Sequence, residues 1–307
     1  MYISEQQVRS VLTYEALLPA IRQALIDLAA GLASQPPRMI LRAGNADDHR
    51  NGWFAVMPVV AGDVMGVKTV TFYPANAELG LHTHMAIIEL LNRATGEPLA
   101  VMDGRLITEM RTAAVSAVAF SCLAPLHFDS APTSFGILGS GIQARAHIAA
   151  LKHVWPEMRE IRIWSRNPAN AIRLAGEVDG RAVTIEEASS AHVVLTATSS
   201  PVPVLNGSNL KRNALVLAVG ATGSSLRELD DNAMLSSFVV AESRSCVERE
   251  SGDVRLSGAK VQADLGEILA NPDTIKIPRD QPIVSKSVGM AIEDITAARI
   301  VWQALLN

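Results

Sequence analysis

Thr133-Ser134-Phe135-Gly136-Ile137-Leu138-Gly139-Ser140-Gly141-Ile142-Gln143-Ala144 decides the fold: an apolar run, a glycine turn, then the opening of a helical stretch. Strand, glycine turn and helix in that order form a cradle for a dinucleotide pyrophosphate. Gly139 permits the tight turn, Gly141 lets the backbone approach the phosphates, and Ala144 lets the helix sit close to the sheet. The helix then offers unpaired N–H groups and the positive end of its dipole to the anion. Ser140, Ile142 and Gln143 complete the expected phosphate side of the site. The motif lies in the middle of the chain, so a segment of about domain size precedes it and is expected to hold the substrate.

Downstream the rhythm is strand–helix–strand. Ile161–Trp164, His192–Thr198, Ala214–Val219 and Phe238–Ala241 are near-continuous apolar strands separated by helical stretches. That alternation indicates a parallel sheet covered on both faces. The expected fold class is therefore α/β, a Rossmann-type doubly wound parallel sheet joined to a smaller α+β domain. The second strand ends in Trp164-Ser165-Arg166-Asn167-Pro168, with no acid. An acid there would hold a ribose 2′-hydroxyl, whereas an arginine suits a 2′-phosphate. Arg166 brings a planar donor fork, and Ser165 and Asn167 bring neutral donors, so NADP(H) is favoured, with NAD(H) as the alternative.

Upstream, Ser4 caps a first turn with Gln7 as its partner, and Leu17, Ile21, Ala24, Leu25 and Leu28 recur at helical spacing until Gly31 and Pro36-Pro37. A strand meander follows: Arg38–Leu41, Trp53–Met57, Val64–Tyr73 and Met85–Leu91, punctuated by Gly44-Asn45, Asn51-Gly52, Ala61-Gly62-Asp63 and Thr95-Gly96-Glu97-Pro98. Thr108–Leu123 reads as an alanine-rich helix closed by Pro125, and Gly289–Leu306 as a final amphipathic helix.

Bulk properties narrow the function. The chain has 307 residues, 49% hydrophobic and 19% charged, which is ample for a packed core and suggests two domains. A net charge of −4 offers no broad basic face to nucleic acid or anionic lipid. Cys122 and Cys246 are too few for a disulfide framework and read as buried thiols in a reducing compartment. The N-terminus lacks a basic segment followed by an apolar one, and no uninterrupted apolar run is long enough to span a bilayer, so a cytoplasmic protein is expected.

Lys68 is the exceptional charge of the first domain. It is flanked by Val67, Thr69 and Val70, and a lysine in such a run either points outward or is buried for a purpose. A buried one needs a carboxylate partner or has its pKa lowered by desolvation. Arg38 follows two prolines, and Arg111 stands near the start of the alanine-rich helix. Taken singly each cation reads as a surface charge; three converging would bind an α-carboxylate, with arginine giving bidentate geometry. His82 and His84 would face one side of a strand and Thr83 the other, where it could donate to the substrate. No third ligand stands nearby, so no metal is expected and the two read as ordinary strand-end histidines. His49, His127, His147, His153 and His192 carry no triad spacing.

Several runs together resemble the ornithine cyclodeaminase/mu-crystallin family: Leu99-Ala100-Val101-Met102-Asp103-Gly104, Arg111-Thr112-Ala113-Ala114, the glycine turn at 139–144, Glu250-Ser251-Gly252-Asp253-Val254, and Ser287-Val288-Gly289-Met290-Ala291-Ile292-Glu293-Asp294. The resemblance spans nearly the whole chain. It implies a homodimer, with residues 1–114 and 288–307 as the substrate-binding and dimerisation domain and 115–287 as the dinucleotide-binding domain. It implies that Arg38, Lys68 and Arg111 line a substrate carboxylate site with Thr83 nearby; Lys68, as the proton donor that burial beside arginines would make it, and Arg111 are the expected catalytic residues. It also implies that Thr198, Val219, Ala221, Val288 and Gly289 border the nicotinamide. Cyclodeaminases of the family carry an acid shortly after the fifth strand; here Thr222 takes that place, and threonine cannot act as a carboxylate base. Gly220-Ala221 followed by Arg227-Glu228-Leu229 is closer to the ketimine reductase branch, although Ser224 and Ser225 replace its usual proline and aspartate. The expected activity is reduction of a cyclic imino acid of the Δ1-pyrroline- or Δ1-piperideine-2-carboxylate type. Ornithine cyclodeamination, alanine dehydrogenation and non-catalytic ligand binding are the alternatives.

Overall fold

A computed structural model describes residues 1–44 and 51–306, and the chain forms two compact units, Met1–Arg111 with Met290–Asn307, and Thr112–Gly289. Asn45, half of one expected turn signal, and His49 lie outside the described residues.

In the first unit, β1 (Tyr2–Ile3) leads into α1 (Glu5–Val11). Ser4 and Gln7 cap α1 reciprocally: the Gln7 N–H donates to Ser4 Oγ, and the Ser4 N–H donates to Gln7 Oε1. The expected single helix is two. Leu12 is extended, and the Thr13 hydroxyl accepts the Ala16 N–H to start α2 (Tyr14–Ala29). The meander then runs through β2 (Met39–Ala43), β3 (Gly52–Ala61), β4 (Val64–Phe72), β5 (His84–Asn92) and β6 (Pro98–Asp103), in sheet order β1-β6-β5-β4-β3-β2. All pairings are antiparallel except β1 with β6. The register sets Met57, Lys68 and Ile88 side by side on one face. That face is buried, and the C-terminal helix (Ala291–Leu306) packs against β3 to β6 and α2.

The second unit carries β7 (Ser134–Leu138), β8 (Glu160–Trp164), β9 (Arg181–Ala182), β10 (Val193–Thr196), β11 (Leu215–Ala218), β12 (Phe238–Ala241), β13 (Ala263–Asp264) and β14 (Ile283–Lys286). Every pairing is parallel, in the order β13-β12-β14-β11-β10-β7-β8-β9. This is the expected doubly wound sheet. Winding leaves β7 toward β8 on one side, while β10 returns on the other. The crevice for a ligand in such a sheet therefore opens beyond the carboxyl ends of β7 and β10.

α3 (Arg105–His127) corrects one expectation: Pro125 lies inside the helix rather than closing it. The ring removes a single N–H near the end, and the final turn is held in other ways. Phe128 N–H donates to the Ala124 carbonyl, and the His127 ring bonds the carbonyls of Pro278 and Asn213. By length and composition α3 could cross a bilayer, although charged residues interrupt its apolar run. Yet 72% of its apolar window is buried within the protein, as in a core helix.

Candidate functional site

In the first unit, three elements distant in sequence bring charge to one buried place. β4 supplies Lys68, α3 supplies Arg111, and the C-terminal helix supplies Glu293 and Asp294; all four are buried. Lys68 Nζ lies 2.6 Å from Asp294 Oδ2. Arg111 Nε donates to Asp294 Oδ1 at 3.0 Å, and one terminal guanidinium nitrogen donates to Glu293 Oε2 at 2.7 Å. The Met290 N–H also donates to Glu293 Oε2, fixing that carboxylate at the first turn of its helix. Both acids stand where the helix dipole favours negative charge. Burial lowers the Lys68 pKa to about 8; Asp294 pushes it back up, while Arg111 and Arg38 press it down. Arg38, partly buried just before β2, therefore lies within electrostatic reach of Lys68.

The three cations are thus brought together. Thr83 is placed differently from expectation. β5 begins at His84, so His82 and Thr83 belong to the loop before it and do not alternate on a strand. That loop satisfies its backbone by its own turn: the Asn76 amide donates to the His82 carbonyl, and Thr83 offers its carbonyl to the Tyr73 N–H. Nor is His84 an ordinary strand-end residue. Its pKa is lowered to about 3, first by burial and then by Lys68, Arg111 and Arg105. The imidazole stays neutral among cations. Glu293, Asp294 and His84 are site residues that sequence reasoning misses. The signal lies in the adjacent acids opening an otherwise apolar helix, and in a histidine at the edge of an apolar strand.

In the second unit, the loop after β7 meets the loop after β10. Gly139 has φ +126°, and a Cβ there would lie 2.5 Å from the Ala197 carbonyl oxygen, so only glycine fits. Gly141 is different: its φ is −81°, no side chain caps α4 (Ile142–Val154), and a Cβ would meet nothing within 4 Å. No neighbour among the described residues requires glycine at 141. The open space beside uncapped helix N–H groups fits a pyrophosphate. Ser140 donates to the Ser165 hydroxyl at 2.9 Å, tying the glycine loop to the end of β8, and Arg145 donates to the Ser140 carbonyl. Ile142 is exposed, and the Gln143 carbonyl bonds the buried His147 ring, whose other nitrogen meets the Ser116 hydroxyl.

Past β8, Ser165 is partly buried and Arg166 is exposed. The Asn167 side-chain oxygen accepts the Ala169 N–H and caps the following helix, α5 (Pro168–Val178), which orients its amide at the end of β8. Thr198, Val219 and Ala221 follow β10 and β11, and Val288 and Gly289 follow β14. The N–H groups of Val288 and Gly289 both donate to buried Glu242 Oε1 at 2.6 Å, so their backbone is set by an acid that no local motif marks.

A family model described as "Ornithine cyclodeaminase/mu-crystallin family" matches residues 1–307. The chain is 36% identical to the ketimine reductase mu-crystallin of Mus musculus, covering 99% of this chain and 96% of that one. It is 31% identical to a Delta(1)-pyrroline-2-carboxylate/Delta(1)-piperideine-2-carboxylate reductase of Azospirillum brasilense, covering 96% and 93%. Among solved structures it is similar to Thermococcus litoralis Delta(1)-pyrroline-2-carboxylate reductase in complex with NADH and L-proline, at a TM-score of 0.90 and 29% identity, covering 100% and 97%. With a parallel doubly wound sheet, a glycine turn at its switch point and a match from end to end, the chain belongs to the ornithine cyclodeaminase/mu-crystallin family.

Proposed function

We propose that this chain is an oxidoreductase that reduces a cyclic imino acid, of the Δ1-pyrroline- or Δ1-piperideine-2-carboxylate type, to the cyclic amino acid, with NADPH as the preferred cofactor. The observation that carries the reading is the convergence of Lys68 and Arg111 in one buried place with Arg38 in electrostatic reach. Asp294 and Glu293 hold the first two from one side. Guanidinium groups held in a fixed orientation by such acids present a donor fork that matches a carboxylate, and the substrate supplies one. One relative named above is a Delta(1)-pyrroline-2-carboxylate/Delta(1)-piperideine-2-carboxylate reductase and another a ketimine reductase, which supports the choice of class.

Arg38 and Arg111 grip the carboxylate, with Thr83 as a nearby hydrogen-bond donor. Asp294 and Glu293 hold Arg111 from the far side and fix its orientation before substrate arrives. Lys68 is charged at neutral pH yet gives up its proton more readily than an exposed lysine. It donates to the imine nitrogen, which makes the adjacent carbon electrophilic. His84, held neutral, adds no further repulsion toward the iminium formed by that proton. The glycine turn with Ser140, Ile142 and Gln143 would hold the pyrophosphate, and Thr198, Val219, Ala221, Val288 and Gly289 would border the ring. The reduced nicotinamide, when bound, supplies the hydride. Arg166 at the end of β8, where no acid stands, favours the 2′-phosphate of NADPH over NADH.

A homodimer is part of the proposal. Met39, Leu41, Met85, Ile87 and Val101 stand exposed on the sheet face away from the C-terminal helix. The register aligns them in rows across β2 to β6, interleaved with Phe54, Val56, Thr69 and Thr71. A sheet face this rich in exposed apolar side chains, with Glu89 and Asp103 on the same face toward β6, suits a second copy of the chain.

The test mixes pure protein with NADPH and Δ1-piperideine-2-carboxylate and follows absorbance of the reduced cofactor, with a parallel assay of ornithine and NAD for ammonia. Cofactor oxidation confined to the first mixture is expected. Ammonia release from ornithine would overturn the reading.

A further inference from the structure

One buried side chain ties the end of β10 to the end of β11. Glu228 is fully buried. Its Oε1 accepts the Thr198 N–H at 2.6 Å and the Thr198 hydroxyl at 2.7 Å. Its Oε2 accepts the Gly220 N–H at 2.7 Å and the Thr196 hydroxyl at 2.9 Å. The packing is tight: a Cβ on Gly220 would lie 2.4 Å from both the Glu228 carboxylate and the Thr198 carbonyl oxygen. Glu228 is itself anchored from behind. Its N–H and that of Leu229 donate to Asp253 Oδ1 at 2.8 and 3.0 Å, and Asp253 Oδ2 lies 2.9 Å from Lys286 Nζ, with both of these charges fully buried.

A buried acid is a costly way to join two loops. Burial pushes the Glu228 carboxyl up, and Lys286 together with the Thr198 and Thr196 donors works against it. What the acid provides is an arrangement no neutral side chain reproduces. Each oxygen accepts from one main-chain N–H, and a main-chain N–H cannot reverse its polarity. Glutamine has one accepting end only. Whichever way its amide turned, its NH2 would face either Thr198 N–H or Gly220 N–H, and one loop would lose its anchor while volume stayed the same.

We propose that Glu228 is a positioning residue for hydride transfer: it sets the spacing between the loops that carry Thr198 and Ala221, and thereby the main chain against which the nicotinamide rests. The inference rests on the reductase reading above. It separates the two halves of the cofactor site. The pyrophosphate cradle at Gly139–Gln143 is built on β7 and α4, and the four hydrogen bonds to the Glu228 carboxylate come from Thr196, Thr198 and Gly220, outside that cradle. The nicotinamide side depends on Glu228.

The experiment compares Glu228→Gln with the wild type by three measurements: turnover of Δ1-piperideine-2-carboxylate, binding of 2′,5′-ADP, and nicotinamide fluorescence of bound NADPH. Expected for the variant are unchanged 2′,5′-ADP affinity, altered nicotinamide emission, and a kcat about 10- to 100-fold lower with little change in the imine KM, the scale of a small misplacement of reacting atoms. Wild-type kcat and emission in the variant would overturn the proposal, as would a parallel loss of 2′,5′-ADP binding, which marks general damage. A wild type that binds NADPH but leaves the imine untouched defeats the reductase reading alone, because the emission comparison still decides the role of Glu228. Should Glu228→Gln fail to fold, Thr196→Val removes one donor to Oε2 at constant volume. A roughly three- to tenfold lower kcat with intact 2′,5′-ADP binding is then expected, the scale of one hydrogen bond, and no change sinks the idea.

Discussion

Lys68 is where a single residue's environment speaks most directly to chemistry. Its depressed pKa of about 8 means that the protonated, donating form is lost above that pH. Imine reduction should therefore fall as pH rises through about 8, read from initial rates with a non-titrating substrate analogue as control. Replacement by methionine, which fills the space without the proton, should lower kcat/KM by about 10²–10⁴-fold while the fold persists by circular dichroism. The same shift has a stability sign. The folded pKa lies below the unfolded one, so the cost of burying the ammonium is present below pH 8 and is relieved as pH rises toward 10.5. For His84 the same depression acts in acid. The unfolded chain takes up a proton below its ordinary 6.5, the folded one resists until about 3, and stability is lost as pH falls through that window. His84→Asn should flatten that acid limb in urea titrations at a series of pH values. Lys68 is legible in the sequence because a charge amid valines is an anomaly. Its partner is not, because Asp294 lies at the other end of the chain and only the fold joins them.

At the scale of elements, legibility follows periodicity. The capping box at Ser4 and Gln7, the meander and the glycine turn can all be read directly, since each is a local pattern. Ser4→Ala should cost about 1 kcal/mol, measured as a lower midpoint in thermal or urea unfolding. β14 escapes such a reading although it lies between β11 and β12 in the sheet. Its Ser285 and Lys286 break the apolar run, and they are tolerated there because Asp253 meets the lysine inside the protein. Pro125 misleads for a related reason: a local breaker is overridden by long-range bonds to the His127 ring. Asn167, expected to offer a donor to the cofactor, also spends its oxygen on a helix cap, a role common for that residue type that engages the acceptor end of the amide and not its NH2.

For the whole molecule, the apolar rows on the outer sheet face make a prediction about assembly. Ile87, 51% exposed, stands mid-row between Thr69 and Asp103. Ile87→Lys should convert a dimer to a monomer in light scattering, with the secondary structure unchanged; a dimer that survives this change would place the contact elsewhere. The two-unit organisation also has a consequence for how the protein is made. The stretch 290–307 belongs to the first unit but emerges from the ribosome only after the intervening unit has been translated. Until then Lys68 and Arg111 lack the two acids that hold them. The buried face that gathers Lys68 and Arg111 is closed by that same C-terminal helix, so the proposed substrate site is assembled only after the last turns of the chain have been made.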